Sequence, residues 1–302
     1  MDMRSSVLSI GNFDGLHLGH RKLLSELCAQ ARTMGLPSVV ITFDNHPSQV
    51  LERRLHQQLL LPPAQKARLL KELGVDEVVL LHFDAELART SAEDFLREQI
   101  VRRHAPVAIV MGYDSQFGFQ RRGNYAFLQE HQDRYGYELH YVEPLQYQNR
   151  VVSSTLIREM LTLGDLREAN QLLGSPYTLF GEVVCGSGIG RDLGFPTANL
   201  RLEESRQMLP RTGVYLSRVR TGAEIFFGLT NIGSSPTLKH SGITEVETHI
   251  LDLERQIYGS SLCVELLEYF REEKMFAGIN ALREAMQSDL ARARDLIGKG
   301  IR

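Results

Sequence analysis

The feature that most limits the fold is a change in hydrophobic pattern near residue 174. Before it, short apolar runs alternate with longer stretches of helical spacing, which is typical of strand–helix–strand units around a parallel sheet. After it, strand-like runs follow one another between Gly-, Pro-, Asn- and Ser-rich turns, and one helix closes the chain. We therefore predict two domains, residues 1–174 with an α/β fold and residues 175–302 with a small antiparallel β-barrel and a C-terminal helix.

The predicted elements follow from these patterns. Strands of the first domain are predicted at residues 7–10, 38–43, 77–82, 107–111 and 138–142, and helices at 20–34, 64–73, 91–103 and 124–135. Two more helices begin near the serines of VVSSTLIREMLTLG and at Asp165, a plausible N-cap. Strands of the second domain are predicted at 178–185, 213–220, 225–231, 246–251 and 262–269. The last helix, about 280–297, should bury one stripe: Ile279, Leu282, Met286, Leu290 and Leu296.

Composition excludes several classes of protein. With 43% hydrophobic residues the chain has enough apolar content for real cores, so it is not a disordered protein. No apolar run approaches the ~18 residues of a membrane helix, and a net charge of -3 gives no support for a broad nucleic-acid-binding surface. Three scattered cysteines without a CxxC pair fit a reducing compartment. We expect a cytoplasmic monomer or weak homo-oligomer that binds small molecules, with no nucleic acid or membrane partner.

The string GNFDGLHLGH, residues 11–20, joins the first predicted strand to the first long helix. Ligands of open parallel sheets bind beyond the carboxyl ends of the strands, and a helix N-terminus offers N–H groups to phosphate. Three glycines allow close approach of the backbone: Gly11, Gly15 and Gly19. His17 and His20 are three residues apart and can share one face, where imidazoles would stabilise charge on a phosphate under attack. Alone, HxGH is also compatible with a tight turn bearing two solvated histidines.

The segment VSSTLIR, residues 152–158, is a second candidate phosphate site. It predicts a helix N-terminus with hydroxyls at Ser153, Ser154 and Thr155. The guanidinium of Arg158 follows and can donate two hydrogen bonds to one phosphate. Standing alone, Ser154 would be read as an N-cap and Arg158 as a solvated side chain.

The string GEVVCGSGIGRDLGFPTANL, residues 181–200, is the most specific signal in the chain. Its glycines form a loop whose amides can wrap phosphates: Gly186, Gly188 and Gly190. Thr197 and Asn199 present a hydroxyl and a carboxamide oxygen after a rigid turn, and such oxygen ligands suit Mg²⁺. Further on, Glu245 and Glu247 lie on one face of a predicted strand, and either carboxylate could serve as a general base.

These motifs, taken in order, resemble those of the bacterial bifunctional riboflavin kinase/FMN adenylyltransferases, or FAD synthetases. GNFDGLHLGH resembles the HxGH nucleotidyltransferase signature, VSSTLIR resembles SSTxIR, and residues 181–200 resemble GxVxxGxxxGRxLGFPTAN with every fixed position present. The resemblance implies a Rossmann-like nucleotidyltransferase domain followed by a riboflavin kinase barrel. It implies phosphorylation of riboflavin to FMN and adenylylation of FMN to FAD, with ATP as co-substrate of both steps and Mg²⁺ as cofactor.

The resemblance also implies roles for individual residues. In the adenylyltransferase half, ATP would be bound by Gly11, Asn12, Phe13, Asp14, Gly15, His17, His20, Ser154, Thr155 and Arg158, with His17 and His20 catalytic. FMN would be bound there by Asp114 and Phe117 of GYDSQFG. In the kinase half, ATP and its phosphates would be bound by Gly186, Gly188, Gly190, Arg191, Thr197 and Asn199, with Thr197 and Asn199 also holding the metal. The general base maps to Glu247, and Arg271 and Phe276 of REEKMF would close the flavin site.

The chain departs from the family pattern at five positions. Asn45 replaces the Pro of TFxPHP, and Ser115 replaces the aromatic of GxDFxFG. In the kinase half the departures are Ser235, Leu238 and Met275, where Arg, Phe and Lys are usual. Two alternatives therefore stay open beside the bifunctional enzyme: a kinase with an impaired adenylyltransferase half, and a non-catalytic sensor of flavin or nucleotide.

Overall fold

The protein is described by a computed structural model that covers residues 5–45, 50, 58–186, 190, 194–234 and 244–301. The chain divides into two compact units, Met1–Leu156 and Ile157–Arg302. The predicted order of an α/β half followed by a barrel is confirmed. The predicted domain boundary between residues 174 and 175 stays a prediction.

The first unit is built on a parallel sheet with helices between its strands. The strands are β1 (Ser6–Ile10), β2 (Ser38–Phe43), β3 (Glu77–Leu81), β4 (Pro106–Gly112) and β5 (Glu138–Val142). The helices are α1 (Leu18–Met34), α2 (Pro63–Glu72), α3 (Ala85–Arg89), α4 (Ala92–Asp94, the π-helical Phe95–Val101, and Arg102–His104) and α5 (Tyr125–Tyr135). A short hairpin of β6 (Gln146–Tyr147) and β7 (Arg150–Val151) follows. Neither α3 nor this hairpin is predicted by the sequence patterns, because both are too short to show a periodicity.

The strand order is β3-β2-β1-β4-β5, and all four pairings are parallel. β1 and β2 are buried at every residue, as expected for central strands covered on both faces. One core lies between the sheet and α4, where Phe95, Leu96 and Ile100 pack against strand residues such as Ile41 and Ile109. Burial of this apolar surface stabilises the sheet whose strand ends carry the motifs.

Asn45 joins the chain after β2 to the chain after β3. Its Nδ2 donates to the carbonyl oxygen of Phe83 at 2.8 Å, and its Oδ1 accepts from Phe83 N at 2.9 Å. The carboxamide thus imitates a backbone pair and extends the β2–β3 ladder, which ends with Phe43 beside Leu81. A proline side chain, usual here in the family pattern, makes neither bond, so this departure has a structural reason.

We expect Asn45→Ala to destabilise the first unit by about 1–2 kcal/mol, because it removes both half-buried hydrogen bonds to Phe83. Asn45→Asp is the matched variant, since it retains the acceptor but places a carboxylate oxygen against the carbonyl oxygen of Phe83, so it should be at least as destabilising. Scanning calorimetry of the full chain measures the effect. An unchanged melting profile in Asn45→Ala would show that the pair contributes nothing to stability.

The second unit is a closed barrel flanked by helices. Its elements are α6 (Ser154–Leu163, which begins in the first unit), α7 (Leu166–Leu173), β8 (Tyr177–Val184), β9 (Ala198–Leu202), β10 (Gly213–Thr221), β11 (Glu224–Ser234), β12 (Thr244–Ile250), β13 (Ser261–Arg271) and α8 (Ile279–Gly298). The order is β10-β11-β12-β9-β8-β13, closed by the antiparallel pairing of β13 with β10. Asp165 caps α7 as predicted, by accepting from Glu168 N. β9 is not predicted as a strand, because it follows a Gly- and Pro-rich string.

The C-terminal helix α8 packs on the barrel through Ala293, with partly buried Leu290 and Leu296 against residues that include Leu216 and Phe270. The predicted stripe is therefore right for its C-terminal part and wrong for Ile279, which is 61% exposed because it lies at the first turn, outside that contact. None of the helices that the structure describes is long and apolar enough to cross a membrane.

Candidate active sites

The strand order places two of the motifs at one point of the sheet. The chain runs from β1 outward to β2 and β3, and then returns to β4 on the other side of β1, so the order reverses between β1 and β4. The crevice beyond the carboxyl ends of such strands is where open α/β sheets bind ligands. GNFDGLHLGH follows β1 and GYDSQFG closes β4, so the fold brings both motifs to this crevice.

The turn after β1 is held in an uncommon backbone conformation. Phe13, Gly15 and Leu16 have φ values of 50°, 84° and 44°, a region that L side chains rarely adopt. The buried carboxylate of Asp14 accepts hydrogen bonds from Leu60 N and Leu61 N, at 3.0 and 3.1 Å. These bonds give Asp14 a structural role in supporting the turn. Its predicted contact with ATP stays a prediction.

His17 and His20 form a stacked pair at the start of α1, with ring centroids 3.6 Å apart. His17 is the N-cap of the helix, and its Nδ1 accepts from His20 N at 3.2 Å. Because Nδ1 is the acceptor, neutral His17 carries its proton on Nε2. The structure therefore brings the two predicted histidines together and defines the tautomer of one of them.

The electrostatics of His20 favour a neutral ring. Its pKa is lowered well below the ordinary value, first by desolvation and then by the charges of His17 and Lys66. Its Nδ1 is buried without a hydrogen-bond partner among the described residues. A neutral imidazole here acts as a hydrogen-bond donor to an anion rather than as a full positive charge.

The VSSTLIR segment reaches the same turn. Ser154 Oγ donates to the carbonyl oxygen of Asp14 at 2.8 Å, across 140 positions of sequence. Ser153 Oγ, and not that of Ser154, accepts from Leu156 N and caps the helix. Thr155 is exposed at the first turn of α6, and Arg158 lies half-buried further along that helix. The hydroxyl of Ser154 thus ties the second motif to the first.

The predicted flavin residues of GYDSQFG have different surroundings. Asp114 is exposed at the end of β4, and partial desolvation raises the pKa of its carboxyl. Phe117 is only 4% exposed and packs against Phe95 and Phe127. A flavin contact through that ring would require this part of the core to open. Ser115 Oγ accepts from Gly112 N at 3.3 Å, so the residue that replaces the family's aromatic closes a turn.

In the barrel, strand register lines up three polar side chains. Glu247 on β12 lies opposite Asn231 on β11 and opposite Asn199 on β9. Directly opposed residues of antiparallel strands point to the same face. The next residues along, Thr230 and Thr248, are fully buried and hydrogen-bonded to each other at 3.0 Å on the other face. Asn199 and Glu247, predicted from strings about 50 residues apart, are therefore neighbours.

The acidity of Glu247 suits a proton acceptor. Desolvation, followed by the negative charge of Glu245, raises the pKa of Glu247. A carboxylate with a raised pKa binds a proton more tightly, which improves it as a general base near neutral pH. The raised pKa therefore supports Glu247 as the candidate base.

Two glycines of the glycine-rich string lie against Asn199 and the nearby Thr197. A Cβ built on Gly186 would overlap the carboxamide of Asn199, and one built on Gly190 would lie 3.2 Å from Thr197 Oγ1. Gly190 also accepts a hydrogen bond from Phe195 N at 2.8 Å through its carbonyl oxygen. Gly188 and Arg191 lie outside the described residues. The backbone at positions 186 and 190 therefore packs against the predicted metal pair, which only glycine permits.

We expect Gly186→Ala to lower the rate of riboflavin phosphorylation by about tenfold or more, because the added methyl group displaces the Asn199 carboxamide. The matched control is Gly278→Ala, since an added Cβ there meets nothing within 4 Å. The measurement is the initial rate of FMN formation. A Gly186→Ala rate equal to that of the control would contradict a role for this close approach.

The REEKMF segment connects the end of the barrel to the last helix. Arg271 donates to the buried carboxylate of Asp289 on α8, at 2.9 Å from Nε and 2.8 Å from Nη2, and its guanidinium lies 5.6 Å from the Phe276 ring centroid. These contacts give Arg271 a structural partner, and its predicted flavin contact stays a prediction. Met275, where the family pattern has Lys, is 99% exposed. Ser235 and Leu238 lie outside the described residues.

Sequence reasoning missed Lys66, which is only 4% exposed. Its Nζ donates to the carbonyl oxygens of Asn12, at 3.0 Å, and Phe43, at 2.8 Å, at the ends of β1 and β2. The sequence signal that could have identified Lys66 is helical spacing. Lys66 lies four residues before the buried Leu70 and is therefore on the inner face of α2.

Comparison with known proteins decides the family. A family model described as FAD synthetase matches residues 1–156, and one described as riboflavin kinase matches residues 173–297. A bifunctional riboflavin kinase/FMN adenylyltransferase of Listeria monocytogenes is 35% identical over 286 residues, which cover 94% of this chain and 90% of the relative. The chain belongs to the bifunctional riboflavin kinase/FMN adenylyltransferase family.

Other members of the family agree in extent. The bifunctional enzymes of Haemophilus influenzae and Escherichia coli are each 35% identical over 294 residues, covering 97% of this chain and 94% and 93% of those relatives. The fold is shared with a solved structure described as a macrolide-efflux protein from Streptococcus pneumoniae. That structure is 32% identical, with a TM-score of 0.87, over 96% of this chain and 94% of the other.

Proposed function

We propose that this protein makes FAD from riboflavin in two ATP-dependent steps, with one active site in each unit. The observation that carries the proposal is that two groups of residues proposed to handle phosphate lie in separate units of one chain. The stacked histidines lie at the reversal point of the sheet, and Asn199 and Glu247 face each other in the barrel. The names and coverage of the relatives agree with this division of labour.

In the proposed kinase step, the barrel phosphorylates riboflavin. Glu247 accepts the proton of the primary hydroxyl of riboflavin as its oxygen attacks the γ-phosphorus of ATP. The bond from the γ-phosphorus to the β,γ-bridging oxygen breaks, and FMN and ADP are the products. The raised pKa of Glu247 supports this role. Its position opposite Asn199 places the base beside the residue proposed to hold the metal and nucleotide.

We propose Mg²⁺ as the cofactor of the kinase site. Thr197 and Asn199 supply neutral oxygen donors, and the glycine backbone at position 186 packs directly against the Asn199 carboxamide, where a Cβ would clash. This donor set fits a cation that keeps water and phosphate oxygens in its coordination shell. When bound, Mg²⁺ neutralises charge on the transferring phosphates.

In the proposed adenylyltransferase step, a phosphate oxygen of FMN attacks the α-phosphorus of ATP, and pyrophosphate leaves. No covalent intermediate with the protein is needed, so catalysis depends on positioning and charge stabilisation. His17 and His20 donate to phosphate oxygens at the start of α1, whose N–H groups and dipole add to the stabilisation. Ser154 hydrogen-bonds to the same turn, so its neighbour Thr155 also lies near that turn.

We also propose a division of these activities between residues 1–174 and 175–302, and a cytoplasmic location. The location is supported by the sequence, because the three cysteines Cys28, Cys185 and Cys263 are scattered and form no CxxC pair. Small molecules are the proposed partners: riboflavin, FMN and ATP.

The test is incubation of the purified chain with riboflavin, ATP and Mg²⁺, followed by chromatography of the flavins over time. FMN that appears first and then gives way to FAD is the expected result. FMN that accumulates without FAD would mean that the first unit lacks the adenylyltransferase activity. Bound riboflavin without any product would replace the enzyme with a flavin-binding sensor.

A further inference from the structure

Lys66 is a buried cation beneath the turn that carries the histidine pair. It projects from α2, and its Nζ bridges the carbonyl oxygens of Asn12 in the turn and of Phe43 at the end of β2. β1 and β2 are adjacent, so the ammonium crosslinks two neighbouring strand ends at the edge where ligands bind. The side chain therefore links the turn to the end of β2.

Burial of this charge is costly unless something compensates for it. Among the described residues, Lys66 donates to two carbonyl oxygens that carry no net charge, so these bonds only partly offset the cost of burying the ammonium. Desolvation lowers the pKa of Lys66 to about 8, against the opposing effects of Asp14 and Asp44. A polyanion bound at the turn would compensate for the charge, which points to a functional reason for it.

The charge also acts on the histidine pair. Lys66 is one of the causes of the lowered pKa of His20, after desolvation and His17. The titratable groups that interact electrostatically here come from four segments: Asp14 in the turn, Asp44 after β2, His17 and His20 at the start of α1, and Lys66 on α2. The ammonium therefore helps to keep His20 neutral while its own proton is present.

We propose that Lys66 is a positioning residue of the adenylyltransferase reaction, whose ammonium fixes the ends of β1 and β2 under the histidine turn and places a buried positive charge below the phosphates of ATP. This inference rests on the proposed adenylyltransferase activity. It gives α2 a role in phosphate binding, although none of the sequence motifs lies on that helix.

The first test removes the charge in the full chain. We expect Lys66→Met to lower the turnover of FMN to FAD by about tenfold or more. Lys71→Met is the matched control, because Lys71 is an exposed lysine of the same helix, and its rate should stay within about twofold of the wild type. Riboflavin phosphorylation should be unchanged in both variants. A Lys66→Met rate within about twofold of the wild type overturns the proposal.

The second test uses the folded wild-type enzyme and a variant that keeps the charge. We expect kcat/KM for ATP in FAD formation to fall above a pH of about 8, as free Lys66 loses its proton. In Lys66→Arg this alkaline limb should move up by at least about one pH unit, since the guanidinium stays protonated. The proposal is overturned if the wild type shows no alkaline fall in kcat/KM, or if the wild type and Lys66→Arg show the same alkaline fall. This test does not depend on whether Lys66→Met folds. A wild type that forms no FAD removes the proposed function as well, whereas the other outcomes remove only the role of Lys66.

Discussion

Glu247→Gln should lower the rate of riboflavin phosphorylation by roughly 10²–10⁴-fold, the usual contribution of a general base. The substitution keeps the size and hydrogen-bonding shape of the side chain and removes its capacity to accept the hydroxyl proton. Its place opposite Asn231 and Asn199 should be retained, so substrate binding should change little. The expected pattern is a fall in kcat with KM values close to the wild type.

The matched control is Glu245→Gln, two residues away on the same face of β12. This variant removes a negative charge that raises the pKa of Glu247, so the pKa of Glu247 should fall slightly. The acid limb of the pH–rate profile of riboflavin phosphorylation should therefore shift to a slightly lower pH. In both variants FMN supplied directly should still be converted to FAD. Loss of FMN formation in Glu245→Gln, with activity retained in Glu247→Gln, would assign the base to Glu245.

His20→Ala should lower the rate of FAD formation roughly 10²–10³-fold, the typical cost of removing one donor to a developing charge. The substitution removes the ring that stacks on His17 and leaves the N-cap bond to the backbone of residue 20 in place. Alanine is also a good helix former, so α1 should persist. Initial rates of FAD formation from FMN and ATP measure the effect.

His131→Ala is the control for this experiment, since it removes a partly buried histidine of α5 that hydrogen-bonds to Phe127. Its FAD synthesis should be close to that of the wild type. FMN formation should be intact in His20→Ala, because the proposed kinase residues lie in the other unit. Simultaneous loss of both activities in His20→Ala would contradict independent sites.

Much of the architecture was predictable because hydrophobic periodicity is strong in this chain. The strands at 38–43 and 138–142 have the predicted bounds, since both are flanked by clear turn or helix signals. β9 escaped prediction, because its five residues follow a string dominated by glycine and proline. It forms in the structure because β8 and β12 pair with it on both sides, which is a property of the barrel and not of the segment.

Individual side chains show where the sequence was insufficient. Phe117 belongs to a motif associated with flavin, yet packing against Phe95 and Phe127 places its ring in the core. Arg271 lies in a motif associated with closure of the flavin site, yet it pairs with Asp289 of the last helix. Motifs record which residue stands at a position, but partners on other elements of the fold decide what its side chain contacts.

The sequence by itself determined the family, the order of an α/β half and a barrel, and the residue types at both candidate sites. Those properties depend on local periodicity and on motifs read within a few residues. Only the tertiary structure decided that Ser154 binds the turn at Asp14, that Asn199 faces Glu247, and that Lys66 lies under the histidine pair. The physical reason is that strand pairing and helix packing bring together groups separated by up to 140 positions, and their burial then fixes their charge and hydrogen bonding.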